Sequence, residues 1–135
     1  MTEANHQLAR DFFAALSNGN VPDDLLTDDF VAWTTTSGTW AEKPRYQGGI
    51  RLLASIFDGG LHYTVDSLTA EEDRVAAEAR SSGTLINGED FANNYVFMLR
   101  IRDGRLASCA EHFNPAPVRE KLGPLLQEAM AKMAG

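Results

Sequence analysis

Two dipeptides in the second half of the chain predict tight turns between extended segments. Asn87-Gly88 and Asp103-Gly104 favour two-residue hairpin turns, because these residue types tolerate positive φ angles. The acidic run at residues 71–73 marks a further polar turn. We therefore predict a four-stranded antiparallel meander, with strands at residues 61–70, 74–86, 90–102 and 105–114. Strands of this length in a short chain predict a strongly bent sheet.

The first half of the chain has helical patterns around one extended segment. Asn18-Gly19-Asn20 and Gly59-Gly60 follow amphipathic stretches and are typical of helix ends. The patterns predict, in chain order, a helix at 3–17, a short helical turn after Pro22, a strand at 30–36, a loop at 40–47, a helix at 49–57 and a helical tail at 118–122 and 124–133.

Helices and strands are segregated along the chain, which indicates the α+β class. We predict a single domain over residues 1–135, because a chain of 135 residues usually forms one domain. A bent sheet that wraps a helical layer leaves a conical cavity open at one end. Such a cavity favours a small-molecule binding site.

The charge balance of the chain argues against several classes of partner. There are 19 acidic and 12 basic side chains, for a formal net charge of -7. So acidic a protein is not expected to bind nucleic acid or an anionic membrane. The lone Cys109 excludes an intramolecular disulfide, and neither a signal peptide nor a run of about 20 apolar residues is found. We therefore expect a cytoplasmic protein.

The sequence has no recognisable metal or cofactor motif. The histidines at positions 6, 62 and 112 lack the short spacing of a zinc site. Phosphate-binding glycine loops and the nucleophile elbow are also missing from the sequence. We predict that the protein uses no metal and no cofactor.

The candidate chemistry lies on the faces of the predicted strands. Side chains alternate along a strand, so Arg80 and Ser82 share one face of theirs. If the faces that carry them line the cavity, its polar groups are Arg80, Ser82, Tyr95 and Glu111. We predict that Arg80 and Glu111 lie within ion-pair distance and face the cavity. Burial would raise the pKa of Glu111 and Arg80 would lower it. The alternative is that the two form a structural ion pair that sets strand register.

Six segments of the sequence, taken in order, resemble one known family. They are FFAALSNGN (12–20), TDDFVAW (27–33), YQGGI (46–50), NYVF (94–97), RDGRL (102–106) and EHFN (111–114). The ordered set resembles the nuclear transport factor two-like superfamily, in its SnoaL-like and ketosteroid-isomerase-like branch. The resemblance implies a conical barrel, in which a strongly curved, mainly antiparallel sheet wraps around N-terminal helices as a cystatin-like α+β roll. It also implies a homodimer.

The resemblance to ketosteroid isomerases does not extend to their acid and base groups. Those enzymes use a tyrosine and a protonated aspartate as an oxyanion hole, with a second aspartate as base. The corresponding positions here look like Phe12, Tyr95 and Thr34 respectively.

Limonene epoxide hydrolases, which the superfamily also includes, hold an arginine between two aspartates. Arg80 matches that arginine, and Glu111 matches one aspartate conservatively. Ser82 replaces the other aspartate, and Thr34 stands where an asparagine would help to hold water. The resemblance therefore implies that half of this apparatus remains.

Together these observations predict an enzyme-like protein that binds a hydrophobic, oxygenated small molecule. Glu111 would be the general acid or base of an isomerase, cyclase, dehydratase or hydrolase, with Arg80 orienting it and stabilising negative charge. Tyr95 would hydrogen-bond the substrate. The remaining substrate-binding residues are predicted to be Phe12, Trp33, Thr34, Phe57, Ser82, Phe97 and Phe113.

A second hypothesis is a non-catalytic domain of the same fold. The cavity would then hold a ligand or be filled by its own aromatic side chains, and the sheet would serve dimerisation. The changed groups at Thr34 and Ser82 favour this hypothesis, whereas Arg80 and Glu111 favour the first. An open cavity that contains Glu111 would support chemistry, and a collapsed one would support structure.

Overall fold

The computed structural model describes residues 2–134, which form helices around one six-stranded sheet. In chain order the elements are α1 Thr2–Ser17, a 3-10 turn Asp23–Leu25, β1 Leu26–Thr34, β2 Trp40–Glu42, α2 Lys43–Ser55, β3 Phe57–Glu71, β4 Arg74–Leu85, β5 Asp90–Arg102, β6 Arg105–Phe113, α3 Pro115–Pro117, a π-helical turn Val118–Leu122 and α4 Gly123–Ala134. The predicted α+β class is confirmed. None of these helices has the length and apolar composition that crossing a bilayer requires.

The sheet has the strand order β2-β1-β6-β5-β4-β3, so β2 and β3 form its two edges. Strands β3 to β6 pair antiparallel in sequence order, which confirms the predicted meander. Strand β1 joins it by pairing parallel with β6. The sheet is therefore mainly antiparallel and curved but unclosed, and its concave face meets the helices.

The core lies between α1 and the concave face of the sheet. Phe12 and Phe13 of α1 pack on Phe97 of β5, with ring centroids 6.3 and 4.8 Å from its own, in edge-to-face geometry. Such aromatic pairs add about 1 kcal/mol each to the burial of their area. Every second residue of β5 is buried, because side chains alternate between the two faces of a strand.

Helix α2 begins earlier than the sequence predicts. Residues 40–47 were expected to form a loop, but Trp40–Glu42 pairs with β1 as an edge strand, and the helix starts at Lys43. Pro44 lies in its first turn, where a missing N–H is tolerated. Gly48 and Gly49 lie inside the helix, since tertiary packing outweighs their weak helix propensity.

The predicted helix end at Gly59-Gly60 is also wrong. Both glycines have positive φ angles, 83° and 88°, and lie within β3, which already begins at Phe57. The pairing with β4 shifts register between Asp58 and His62, so the pair forms an irregularity in the strand. Glycine is required for such a conformation because it has no Cβ. Phe57 thereby joins the sheet instead of the second helix.

Candidate functional site

A cavity of about 320 Å³ lies between the concave face of the sheet, α2 and the helical tail. Its wall is mostly aliphatic and aromatic. The helical tail at residues 118–134 contributes side chains spaced four residues apart, so that one face of the tail covers the cavity. These tail residues are Val118, Leu122, Leu126 and Met130. The cavity has the size and lining of a small-molecule site, which the bent sheet led us to expect.

A larger groove of about 460 Å³ runs between α2 and α4. Its charged lining residues, Arg51, Glu128 and Lys132, are exposed to solvent, and Glu111 does not line it. The charged groups of this groove are solvated, and it contains no buried ionisable side chain. We therefore place the candidate site in the smaller cavity.

Glu111 is the carboxyl group of this cavity. Strand β6 holds it between Thr34 of β1 and Phe97 of β5, its cross-strand neighbours. The backbone N–H of Thr35 donates to the Glu111 carbonyl oxygen over 3.1 Å. Strand alternation gives Glu111 the same direction as the buried Cys109, so its side chain faces inward.

The Glu111 carboxyl group has no protein partner among residues 2–134. It is half-buried, and the surface that it retains borders the cavity. Burial among protein atoms disfavours its charged form and raises its pKa from 4.5 to about 7. A carboxyl group with this pKa occurs in both protonation states at neutral pH, and can therefore act as an acid or a base.

Three tyrosines surround Glu111 along the cavity wall. Burial raises the pKa of Tyr46, Tyr63 and Tyr95, and a negative charge on Glu111 raises each further. All three phenols therefore remain neutral hydrogen-bond donors. The hydroxyls of Tyr95 and Ser81 share a hydrogen bond of 2.7 Å, whereas the buried Tyr46 hydroxyl has no partner among the described residues.

The structure places four of the predicted site residues along the cavity. They are Thr34, Tyr95, Glu111 and Phe113. Their positions agree with the sequence-based expectation, and their roles stay predictions.

Four predicted wall residues lie elsewhere. Phe12 and Phe97 are fully buried in the core beneath the cavity, and Phe57 packs on Phe91 in a separate cluster. Trp33 points to the opposite face of β1 from Thr34 and packs on His112, with ring centroids 4.8 Å apart and ring planes tilted by 44°. The prediction that these four side chains form the cavity wall is therefore wrong. Aromatic character alone does not distinguish core from cavity.

The predicted pairing of Arg80 with Glu111 is also wrong. The Arg80 side chain lies on the outer face of the sheet, where its Nε and Nη2 each donate to Asp66 over 2.9 Å. Ser82 is exposed on the same face. The inward face of β4 instead carries Val75, Ala77 and Ala79 among its buried residues. That apolar alternation is visible in the sequence and could have identified the correct face.

Arg80→Met is expected to leave the ionisation of Glu111 unchanged, because the sheet separates the two side chains. The measurement is a titration of the Glu111 carboxyl carbon by NMR in both proteins. The variant should also unfold at nearly the wild-type denaturant concentration, since an exposed ion pair contributes little. A shift of about one unit in the Glu111 pKa would show that Arg80 acts on the site after all.

Two tyrosines of the cavity were among the lining residues missed from the sequence. Tyr46 was assigned to the loop at 40–47, so its place on the inner face of α2 was not considered. Tyr63 shares the inward face of β3 with Leu61 and Val65, and this alternation was an available signal. Among residues 2–134, no three histidine, cysteine, aspartate or glutamate side chains converge as metal ligands.

Several solved structures share this fold. AclR from Streptomyces galilaeus, a proposed hydroxylase, is 20% identical with a TM-score of 0.78, over 92% of this chain and 98% of its own. IdmH from Streptomyces antibioticus, a proposed polyketide cyclase, is 19% identical with a TM-score of 0.75, over 88% and 98%. An NTF2-like protein from Anabaena variabilis is 24% identical with a TM-score of 0.73, over 84% and 88%. At these identities the likeness shows the fold alone.

The sequence itself carries the family assignment. No curated protein matches this chain in a sequence search. Residues 9–109, however, match the sequence profile of the SnoaL-like domain. The matched range runs from α1 to the middle of β6 and includes most of the cavity wall. This chain therefore belongs to the SnoaL-like domain family, within the fold shared by NTF2-like and ketosteroid-isomerase-like proteins.

Proposed function

We propose that this protein binds a hydrophobic, oxygenated small molecule in the Glu111 cavity and catalyses a proton transfer on it. The observation that carries the proposal is the single carboxyl group of a mostly aliphatic and aromatic cavity wall, with its pKa raised to about 7. Perturbed acidity in a concave site is typical of catalytic groups. The open cavity around Glu111 is the arrangement that favours chemistry over a purely structural role.

Glu111 supplies the proton transfer in this mechanism. As a carboxylate it removes a proton from a carbon or hydroxyl group of the substrate, and as the resulting acid it returns that proton to another atom. A pKa near the working pH makes both steps efficient, and together such steps contribute about 10²- to 10⁴-fold to a rate. Tyr63 and Tyr95 lie on the same wall and offer neutral phenols to a substrate oxygen.

The reaction class is proposed from the chemistry that Glu111 can perform, and two proteins of the same fold have proposed reactions of their own. IdmH is a proposed polyketide cyclase and AclR a proposed hydroxylase. Isomerases and cyclases move a proton between two atoms of the substrate, whereas dehydratases and hydrolases move one to the water that leaves or from the water that attacks. We favour an isomerase or cyclase, because Glu111 alone can both take and return the proton.

The test is a pH profile with 5-nitrobenzisoxazole, a small aromatic probe of carboxylate bases. A base removes the proton from its ring carbon, that electron pair completes a nitrile as the N–O bond breaks, and a coloured cyanophenolate results. Because the carboxylate is the active form, the catalysed rate should rise with pH to a plateau, with a midpoint near the Glu111 pKa of about 7. A midpoint near the ordinary glutamate pKa, or no catalysis, would contradict the proposal.

A ligand-binding protein without catalysis is the second candidate. It is favoured by the fact that no described side chain hydrogen-bonds the Glu111 carboxyl group, whereas catalytic bases are usually oriented by a neighbour. Mass spectrometry of small molecules extracted from the purified protein distinguishes the two. A ligand that the protein leaves unchanged on incubation supports binding alone, and its conversion supports catalysis.

A further inference from the structure

Arg45 is a charged residue on the cavity that the proposed proton transfer does not use. It lies in the first turn of α2, is exposed, and lines the cavity, as do the exposed residues Thr36 and Ser37. Glu111, in contrast, is half-buried on the inward face of β6. Arg45 and the two hydroxyl residues therefore mark the solvent-facing rim of the cavity, and Glu111 belongs to its interior.

The charge of Arg45 has no carboxylate partner among residues 2–134. Four other basic side chains do form ion pairs, namely Lys43, Arg74, Arg80 and Arg102. Arg45 is also the one basic residue in the lining of this cavity. In a chain with 19 acidic and 12 basic side chains, an unpaired guanidinium at a cavity rim leaves a local positive site.

We propose that the ligand of this cavity is an amphipathic carboxylate, whose apolar body fills the cavity and whose anionic end pairs with Arg45 at the rim. A guanidinium binds a carboxylate through two parallel N–H donors. A single arginine matches one carboxylate, and an ionised Glu111 would repel a doubly charged phosphate more strongly than a singly charged carboxylate held at the rim. This inference rests on the proposed function, because it assigns the charge of the substrate at the same site.

Pairing at the rim would orient the substrate. With its carboxylate held at Arg45, the apolar end of the molecule points inward, toward Glu111 and the tyrosines. Holding a substrate in one orientation removes rotational freedom before the reaction, which can lower the barrier considerably. Arg45 thus binds and orients the substrate, and Glu111 carries out the proton transfer.

The test compares two probes with the same naphthyl body, 2-naphthylacetate and its methyl ester, in which a methyl group removes the negative charge. Their dissociation constants are measured with the wild type, Arg45→Met and the control Arg51→Met. Arg51 lies on the same helix but lines the other groove, so the control makes the same change of charge. Methionine favours helix nearly as well as arginine does, and circular dichroism checks that both variants fold.

We expect Arg45→Met to weaken binding of the carboxylate about 3- to 10-fold, and binding of the ester by less than about 2-fold. Arg51→Met should leave both constants unchanged. Raising the salt concentration from about 0.05 to about 0.5 M should remove most of the difference in carboxylate affinity between the wild type and Arg45→Met, because salt screens an exposed ion pair.

The contrary outcomes separate the two proposals. If Arg45→Met weakened binding of both probes equally, or of neither, the proposed role of Arg45 would be wrong, while the cavity would remain an apolar binding site. Failure of the wild type to bind either probe would overturn the proposed binding cavity, and this inference with it.

Discussion

Glu111→Gln is expected to slow the ring opening of 5-nitrobenzisoxazole by about 10²- to 10⁴-fold relative to the wild type. The amide has nearly the size of the carboxyl group but cannot accept the proton at neutral pH. The measurement is the initial rate of phenolate release at a pH above about 7.5, where most of the wild-type carboxyl is ionised according to its pKa of about 7.

The control for this variant is Glu78→Gln. Glu78 is exposed on the outer face of β4, where its carboxylate accepts a hydrogen bond of 2.6 Å from Ser67. The substitution makes the same chemical change on the other side of the sheet, and we expect the wild-type rate. If Glu111→Gln kept more than about a tenth of that rate, another group would be the base and the proposed mechanism would be wrong.

Glu111→Gln is also expected to raise the free energy of unfolding, although it lowers the reaction rate. Folding raises the pKa of Glu111 from 4.5 to about 7, so its contribution to stability is fully present below 4.5 and is lost as the pH rises through 7. Glutamine carries no charge at any pH in this range. The variant should therefore become more stable than the wild type by up to about 3 kcal/mol near pH 8, and by less than about 1 kcal/mol near pH 5.

Urea unfolding of both proteins at the two pH values measures this effect. The pH dependence of all other groups is shared and cancels in the difference between the curves. Glu78→Gln should show no comparable gain at high pH, because its carboxylate is already exposed to water in the folded protein. A difference between Glu111→Gln and wild type that is equal at both pH values would show that burial does not raise the Glu111 pKa.

Together, the lower rate and the higher stability expected of Glu111→Gln mean that the native Glu111 lowers the stability of the folded protein. An ionised carboxyl group without a partner in an apolar cavity destabilises the folded state, and a neutral side chain would remove that cost. Retaining such a group is typical of functional sites, where activity and stability favour different residues. A variant that is both more stable and less active would be direct support for this view of Glu111.

The strand meander could be predicted from short stretches of sequence. Strand β5 spans Asp90–Arg102, as predicted, and Asp103 and Gly104 adopt positive φ angles of 54° and 75° in the turn that follows. Such turns depend on the conformational preferences of two or three residues. Local chemistry is therefore sufficient to mark where these strands end.

Which face of each strand turns toward the core could not be predicted from side-chain alternation alone, as Arg80 shows. Alternation correctly placed Arg80 and Ser82 together, but it does not by itself say which face of a strand turns inward. The partner of Arg80 is Asp66, on a neighbouring strand whose pairing with β4 contains two register shifts. A shift of one residue reverses the face of every side chain that follows, so the pairing could not be deduced from spacing.

The amino-acid sequence by itself determined the α+β class, the meander and the placement of Glu111 on the same strand face as Cys109, because turn preferences and side-chain alternation are local. Only the tertiary structure decided that Glu111 has no arginine partner, that Tyr46 and Tyr63 stand beside it, and that its pKa lies near 7. The physical reason is that desolvation depends on every atom packed around a group. Those atoms come from the sheet, α2 and the tail, which are far apart in the chain.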